Sequence, residues 1–142
     1  MNGLKEKCII SARGNTFYWT NEKKDCPGMV FLPGLTANRS LFEKQLDEFG
    51  NDCNVIVWDC PGHGKSPPYA DFTYTNVTDE LKRVLISENV EKAVFVGQSL
   101  GGMLAQFFIH RNPDMASGFV SIDSAPFGDY YSKSDFFWLN QL

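Results

Sequence analysis

Six residues, Gly97 to Gly102, constrain the fold more than any other feature, because they read Gly-Gln-Ser-Leu-Gly-Gly between two apolar stretches. The run from Ala93 to Val96 is short and continuously apolar, which is typical of a buried strand. After Ser99, apolar residues recur with helical spacing as far as Ile109. Glycines on both sides of the serine permit a sharp turn. The pattern therefore predicts a strand, a tight turn that carries Ser99, and a helix.

Apolar strands and amphipathic helices alternate along the rest of the chain. Strands are predicted at 7–12, 16–20, 29–32, 54–58 and 118–123, and helices at 40–49, 76–87 and 100–109. Ser40 and Glu43 have the spacing of a capping box at the start of the first helix. Such alternation implies right-handed crossovers. The predicted fold class is α/β, a mostly parallel sheet with helices on both faces, in one domain that spans residues 1–142.

Composition limits the class of protein. Apolar residues make up 43% of the 142 residues and aromatic residues 14%, which excludes a disordered chain. A net charge of −4 gives no basic surface for nucleic acid, and no apolar run reaches the roughly 18 residues of a membrane span. The four cysteines contain no Cys-x-x-Cys pair, so neither a disulfide nor a zinc framework is indicated. With a polar start that differs from a secretory signal, the chain is expected to be cytoplasmic.

Three short motifs follow one another in a definite order. They are Leu32-Pro33-Gly34-Leu35, Asp59-Cys60-Pro61-Gly62-His63-Gly64-Lys65-Ser66, and Gly97-Gln98-Ser99-Leu100-Gly101-Gly102, each after a predicted buried strand. With these motifs the chain, from about residue 8 to residue 126, resembles the N-terminal half of an α/β-hydrolase. The resemblance implies a sheet truncated after about the sixth strand, and a serine hydrolase that acts on a carboxylic ester or related acyl substrate. It implies no metal and no organic cofactor.

The resemblance also gives roles to particular residues. Ser99 matches the nucleophile, and the backbone N–H groups of Leu100 and Leu35 match the donors that stabilise the oxyanion. The alternative for Ser99 is a serine that caps the following helix. The alternative for Leu35 is a loop residue whose side chain is tucked into the core, which is compatible with the donor role because that role uses only the N–H.

The histidine base that such a serine needs is missing from the expected part of the chain. His63 is a weak base candidate; its loop is expected after a strand next to the one that precedes Ser99, and a loop-shaping role is favoured. His110 lies ten residues into the predicted helix, about 15 Å from Ser99. Asp123 is a weak candidate for the catalytic acid, with a turn carboxylate as the favoured interpretation. The later strands, the usual acid and the catalytic histidine of the family have no counterpart here.

The last residues, 125–142, contain six aromatic side chains and are interpreted either as the start of a cap over the site or as part of an incomplete core. We expect the chain alone to be inactive or nearly so. A non-catalytic small-molecule-binding module and a non-functional fragment are the alternatives. Thioesterase, acyltransferase, peptidase and carbon–carbon hydrolase chemistry are not separated by the sequence. The expected partners are a small acyl substrate, and either a complementing C-terminal segment or a second copy paired through an exposed sheet edge.

Overall fold

The computed structural model describes residues 3–126, which form a six-stranded sheet with helices on both faces. The strands are β1 (Lys5–Ser11), β2 (Gly14–Thr20), β3 (Gly28–Leu32), β4 (Asn54–Trp58), β5 (Ala93–Gln98) and β6 (Ala116–Ile122). The helices are α1 (Glu43–Phe49), α2 (Tyr74–Ser87) and α3 (Leu100–Arg111), with short 3₁₀ turns at Arg39–Phe42 and Pro113–Met115. The predicted position of a cap segment at 125–142 lies almost entirely outside the described residues.

The sheet order is β1-β2-β4-β3-β5-β6. The first two strands form an antiparallel hairpin, and β2 pairs antiparallel with β4. All remaining pairs are parallel. The predicted mostly parallel α/β sheet is thereby confirmed. Because β3 to β6 run in the same direction, their carboxyl ends meet at one edge of the sheet, where all three motifs begin.

Burial alternates between the two faces of the central strands, since neighbouring side chains on a strand point to opposite faces. One face packs against α2 and α3, through buried side chains that include Leu32, Trp58, Leu81, Phe95 and Phe108. The opposite face packs against α1 and the 3₁₀ turn before it, through a cluster of buried side chains that includes Trp19, Phe31, Phe42, Leu46, Val57 and Val96. Two covered faces hold the central strands rigidly, so the loops at their carboxyl ends start from fixed positions.

The start of the first helix differs from the prediction. Ser40 lies in a 3₁₀ turn, and Asn38 caps that turn by accepting a hydrogen bond of 3.0 Å from the Ser40 N–H. The Ser40 hydroxyl also donates to Asn38, at 2.7 Å. The α-helix proper begins at Glu43 without a side-chain cap. The predicted capping box is therefore wrong, because the neighbouring asparagine takes the capping position first.

Strand β6 lies at one edge of the sheet with apolar side chains uncovered. Phe119, Val120 and Ile122 are 38%, 45% and 38% exposed. Consecutive apolar residues are typical of a central strand that is buried on both faces. Among residues 3–126, nothing covers the outer side of this strand.

Candidate active site

Ser99 lies between β5 and α3, in a backbone conformation that few residues other than glycine adopt. Its φ is 51° and its ψ is −117°, whereas α3 begins at the next residue. A conformation of this kind costs about 1–3 kcal/mol for a residue with a side chain. The side chain is partly exposed, and it makes no capping hydrogen bond to the helix. The predicted strand, turn and helix are confirmed, and the structure does not support a capping serine.

The glycines around Ser99 are required by close approaches of the backbone. A Cβ on Gly97 would lie 2.5 Å from the Cα of Gly102 and 2.6 Å from the Gly101 carbonyl oxygen. A Cβ on Gly101 would overlap the carbonyl oxygen of Leu32 and lie 2.7 Å from that of Pro33. The first turn of α3 is thus pressed against both β5 and the end of β3.

The segment that follows β3 packs against the end of β5, just before Ser99. A Cβ on Gly34 would overlap the side-chain oxygen of Gln98 and lie 3.0 Å from the Gln98 carbonyl oxygen. Gly34 and Leu35 therefore run alongside the residue that precedes Ser99. The Leu35 side chain is 39% exposed, so the alternative in which it is tucked into the core is wrong. Its exposure follows from the turn at Gly34, which directs the chain away from the sheet.

The backbone N–H groups of Leu100 and Leu35 have no acceptor among the described residues. Leu100 is the first residue of α3, where the N–H has no partner within the helix and the helix dipole favours negative charge. An unpaired N–H at the start of a helix favours an anionic oxygen at that position.

The main chain of Ser99 is held by residues just after β6. The Ser99 N–H donates to the Ile122 carbonyl at 3.0 Å, and the Ser124 hydroxyl donates to the Ser99 carbonyl at 2.8 Å. Sequence reasoning missed Ser124, because it lies 25 residues from Ser99 and belongs to none of the three motifs. No signal in a single sequence identifies such a contact.

The loop after β4 is held together by a buried carboxylate. Asp59 is 1% exposed and accepts hydrogen bonds from the N–H groups of Lys65, at 2.8 Å, and Arg39, at 3.0 Å. The Ser66 hydroxyl donates to the Asp59 carbonyl oxygen at 2.6 Å. Asp59 therefore braces this loop by accepting backbone hydrogen bonds.

His63 lies in that loop, farther from Ser99 than expected. Strand β3 lies between β4 and β5, so the expectation that the loop follows a strand next to the Ser99 strand is wrong. Two strand spacings separate β4 from β5 by about 10 Å. The ring Nδ1 of His63 is 3.2 Å from the Pro61 carbonyl oxygen, which is a contact within its own loop. These observations support the loop-shaping role over the base.

The remaining histidine, His110, lies on α3, and Asp123 lies just after β6. His110 is exposed near the C-terminal end of α3, so the length of the helix separates it from Ser99. Asp123 follows β6 at the same edge of the sheet as Ser99, with a φ of 45° and an exposed side chain. Strands β5 and β6 are direct neighbours, which leaves Asp123 as the acidic residue nearest to Ser99 in the sheet order.

The thiol in this region is not a competing nucleophile. Cys60 is buried, and burial together with the charge of Asp59 raises its pKa far above the usual range. All four cysteines are free.

Residues 3–126 contain no group of three or more histidine, cysteine, aspartate or glutamate side chains that could hold a metal ion. Within the same residues, no helix is long and apolar enough to cross a membrane.

Comparisons with known proteins agree with this geometry. The family model described as "alpha/beta hydrolase fold" matches residues 27–141. The chain is 29% identical over 112 residues to the pimeloyl-[acyl-carrier protein] methyl ester esterase of Vibrio atlanticus, which covers 79% of this chain and 42% of that protein. It is 29% identical over 106 residues to 3-oxoadipate enol-lactonase 1 of Acinetobacter baylyi, which covers 74% of this chain and 40% of that protein.

A solved structure shows the same fold. The naproxen esterase of Bacillus subtilis superposes with a TM-score of 0.80 at 22% identity, over 97% of this chain and 49% of that protein. The chain thus spans about two fifths of the length of the two curated relatives and about half of this structure.

Proposed function

Because the chain belongs to the α/β-hydrolase family, we propose that it carries the nucleophile and the oxyanion site of a serine hydrolase that acts on carboxylic esters. The observation that carries the proposal is the strained turn at Ser99, with a φ of 51°, which is followed directly by the unpaired N–H of Leu100. The unpaired N–H of Leu35 follows Gly34, which packs against Gln98. Strain of this kind persists where the surrounding structure enforces it, and it concentrates at functional sites. An ester as substrate is supported by the two relatives, which are named as a methyl ester esterase and an enol-lactonase.

In the proposed reaction, the Ser99 hydroxyl oxygen attacks the acyl carbon of the ester, and its proton passes to a histidine. The electron pair of the carbonyl π bond moves onto oxygen, and the N–H groups of Leu35 and Leu100 donate to this oxyanion. Collapse of the intermediate expels the alcohol, which takes the proton from the histidine. Water then attacks the acyl-serine by the same route and releases the carboxylic acid.

The histidine is the part that this chain does not supply. His63 contacts its own loop two strands away, and His110 lies near the far end of α3. Loss of the serine or the histidine of a catalytic triad lowers turnover by about a millionfold. We therefore propose that the 142 residues alone have almost no turnover and that the base comes from another polypeptide segment. The greater length of the relatives supports this proposal.

The uncovered strand β6 is the proposed attachment point for that segment. Its exposed apolar side chains, Phe119, Val120 and Ile122, and its open backbone edge suit the addition of another strand. Pairing of two copies through the same edge is the competing arrangement. Four unpaired thiols support a cytoplasmic location for the chain.

A chimeric protein tests the function. Residues 1–126 are joined to the C-terminal part of the Vibrio atlanticus esterase that lies beyond its matched region. We expect a fluorophosphonate probe to label this chimera at Ser99, and the Ser99→Ala variant to remain unlabelled. The chain alone is expected to be labelled far more slowly, because it lacks the base. Equal labelling of the chimera and its Ser99→Ala variant would contradict the assignment of the nucleophile.

Binding without turnover is the second candidate, and the missing base favours it. A chain of this kind would bind a short ester or its acid but would neither hydrolyse it nor react with the probe, even in the chimera. Esterase turnover by the 142-residue chain itself, abolished by Ser99→Ala, would instead contradict the proposed need for an external base.

A further inference from the structure

The residues after β6 hold both polar groups of the Ser99 main chain. The Ser99 N–H donates to the Ile122 carbonyl at 3.0 Å, and the Ser99 carbonyl accepts from the Ser124 hydroxyl at 2.8 Å. The first contact continues the pairing of β5 with β6. The second is made by a side chain, so it can be removed without altering the strand pairing.

The Ser99 carbonyl has a second donor from the opposite direction. The N–H of Met103 donates to it at 3.1 Å, as the first hydrogen bond of α3. A carbonyl oxygen has two lone pairs, and these two donors occupy both. The other acceptor near the Ser124 hydroxyl, the Ala125 carbonyl, is farther away at 3.5 Å. The carbonyl of Ser99 is therefore fixed in direction by contacts on two sides.

Gly102 provides the space that Ser124 occupies. A Cβ on Gly102 would lie 2.5 Å from the Ser124 hydroxyl oxygen and 2.6 Å from its Cβ. A side chain at position 102 would therefore push Ser124 away from the Ser99 carbonyl. This packing of Gly102 against Ser124 is an observation independent of the hydrogen bond. It shows that α3 approaches the residues after β6 closely enough to hold the Ser124 hydroxyl near the Ser99 carbonyl.

The Ser99 carbonyl and the Leu100 N–H belong to one planar peptide unit and point in opposite directions. A group that fixes the carbonyl therefore also fixes the N–H. Donation of a hydrogen bond to the carbonyl also polarises the peptide and strengthens its N–H as a donor. We propose that Ser124 is a positioning residue that aims the Leu100 N–H at the oxyanion through this peptide. The inference rests on the proposed function, in which Leu100 is one of the two oxyanion donors.

A thiol introduced at position 99 tests the positioning role of Ser124 in the 142-residue chain, with no added histidine. The Ser99→Cys variant is alkylated with iodoacetamide over a range of pH, and the modified peptides are quantified by mass spectrometry. The N-terminus of α3 and the oxyanion donors should stabilise the thiolate and lower the pKa of the introduced thiol below about 8.5. The peptide that contains residue 99 is separate from those of the four native cysteines.

Ser124→Ala, made in the Ser99→Cys background, should slow this alkylation about three- to tenfold at neutral pH, the factor that corresponds to one neutral hydrogen bond. It should also shift the amide nitrogen resonance of Leu100. Ser121→Ala is the matched control, because Ser121 is an exposed residue of β6 and makes no side-chain hydrogen bond in the described part of the chain. This control should change neither quantity.

The outcomes separate the inference from the proposed function. An ordinary thiol pKa for Ser99→Cys would contradict the proposed site itself. A lowered thiol pKa that Ser124→Ala leaves unchanged would overturn the role of Ser124 and leave the site intact. If Ser124→Ala does not fold, the alkylation rates of Ser124→Thr and Ser124→Val are compared instead. Threonine and valine side chains have the same shape, and only threonine keeps the hydroxyl. Faster alkylation with threonine than with valine supports the inference, and equal rates overturn it.

Discussion

Two glycine-rich segments leave the carboxyl edge of the sheet, and they hold their shapes by different means. In the loop from Asp59 to Ser66, the positive φ values fall on Gly62 and Gly64, and a buried carboxylate accepts the backbone N–H groups. In the turn from Gly97 to Gly102, the positive φ falls on Ser99, and the glycines instead permit close backbone contacts. The first loop avoids strain, whereas the second places strain on the one residue that has a reactive side chain.

Under the proposed function, the difference separates a structural loop from a catalytic one. A turn selected only for shape would have glycine at position 99, since glycine adopts a positive φ without steric cost. The proposed function accounts for the strain at Ser99, because it requires a hydroxyl at this turn, next to the unpaired N–H of Leu100. His63 belongs to the unstrained loop, which argues for structure rather than chemistry at that position. Four substitutions test this comparison.

The largest effect is expected in the structural loop. Asp59→Ala would leave the N–H groups of Arg39 and Lys65 without their buried acceptor, and we expect a loss of about 3 kcal/mol in the free energy of unfolding. Urea denaturation measures it. Asp52→Ala is the control, because Asp52 is exposed and should change stability by less than about 0.5 kcal/mol. A loss as small as the control would show that the loop is not held by its carboxylate.

A smaller loss is expected where backbone contacts hold the Ser99 turn. The added methyl of Gly101→Ala would overlap the Leu32 carbonyl oxygen, so α3 must shift, at a cost of about 2 kcal/mol. Gly118→Ala is the matched control, since a Cβ there meets the Val94 side chain at an ordinary 3.5 Å. Equal midpoints in urea for the two variants would contradict the claim that close backbone packing shapes the turn.

Much of this comparison could be predicted from the sequence. Apolar runs and helical spacing located β5 and α3, and the Gly-x-Ser-x-Gly motif indicated a sharp turn, because both signals are local. The order of the strands could not be predicted, and this is why His63 was expected one strand closer to Ser99. Apolar periodicity shows that a strand is buried, but it does not show which strand lies beside it.

Contacts between residues far apart in the sequence could not be predicted either, because local patterns do not show which elements lie side by side. Ser124 and Gly102 are 22 positions apart, and neither residue type alone indicates that one makes room for the other. The capping of the first helix was missed at shorter range, because Asn38 and Ser40 are both good capping residues and their residue types do not show which of them caps. The uncovered side of β6 was expected and is present in the described residues.

The third effect should have the opposite sign. Replacing an exposed serine with glycine normally destabilises a strand by about 0.5–1 kcal/mol, and Ser121→Gly should do so. Ser99→Gly should instead stabilise the chain by about 1 kcal/mol, because the relief of strain exceeds the gain in chain entropy of the unfolded state. Thermal unfolding of the two variants measures the contrast. If both variants lose stability, the backbone of Ser99 is not strained. The contrast between a strained turn at Ser99 and an unstrained loop at Gly62 and Gly64 would then be wrong.

The smallest effect is expected at His63. The residue is partly exposed, and among the described residues the ring hydrogen-bonds only to the Pro61 carbonyl, so His63→Ala should lower the free energy of unfolding by less than about 1 kcal/mol. In the chimera that supplies a downstream histidine, the rate at which a fluorophosphonate labels Ser99 should stay within about twofold of the parent, because a loop residue takes no proton from the serine. The Ser99→Ala chimera gives the background of the measurement. A drop in labelling toward that background, with stability unchanged, would make His63 the base and would assign both glycine-rich segments to the chemistry.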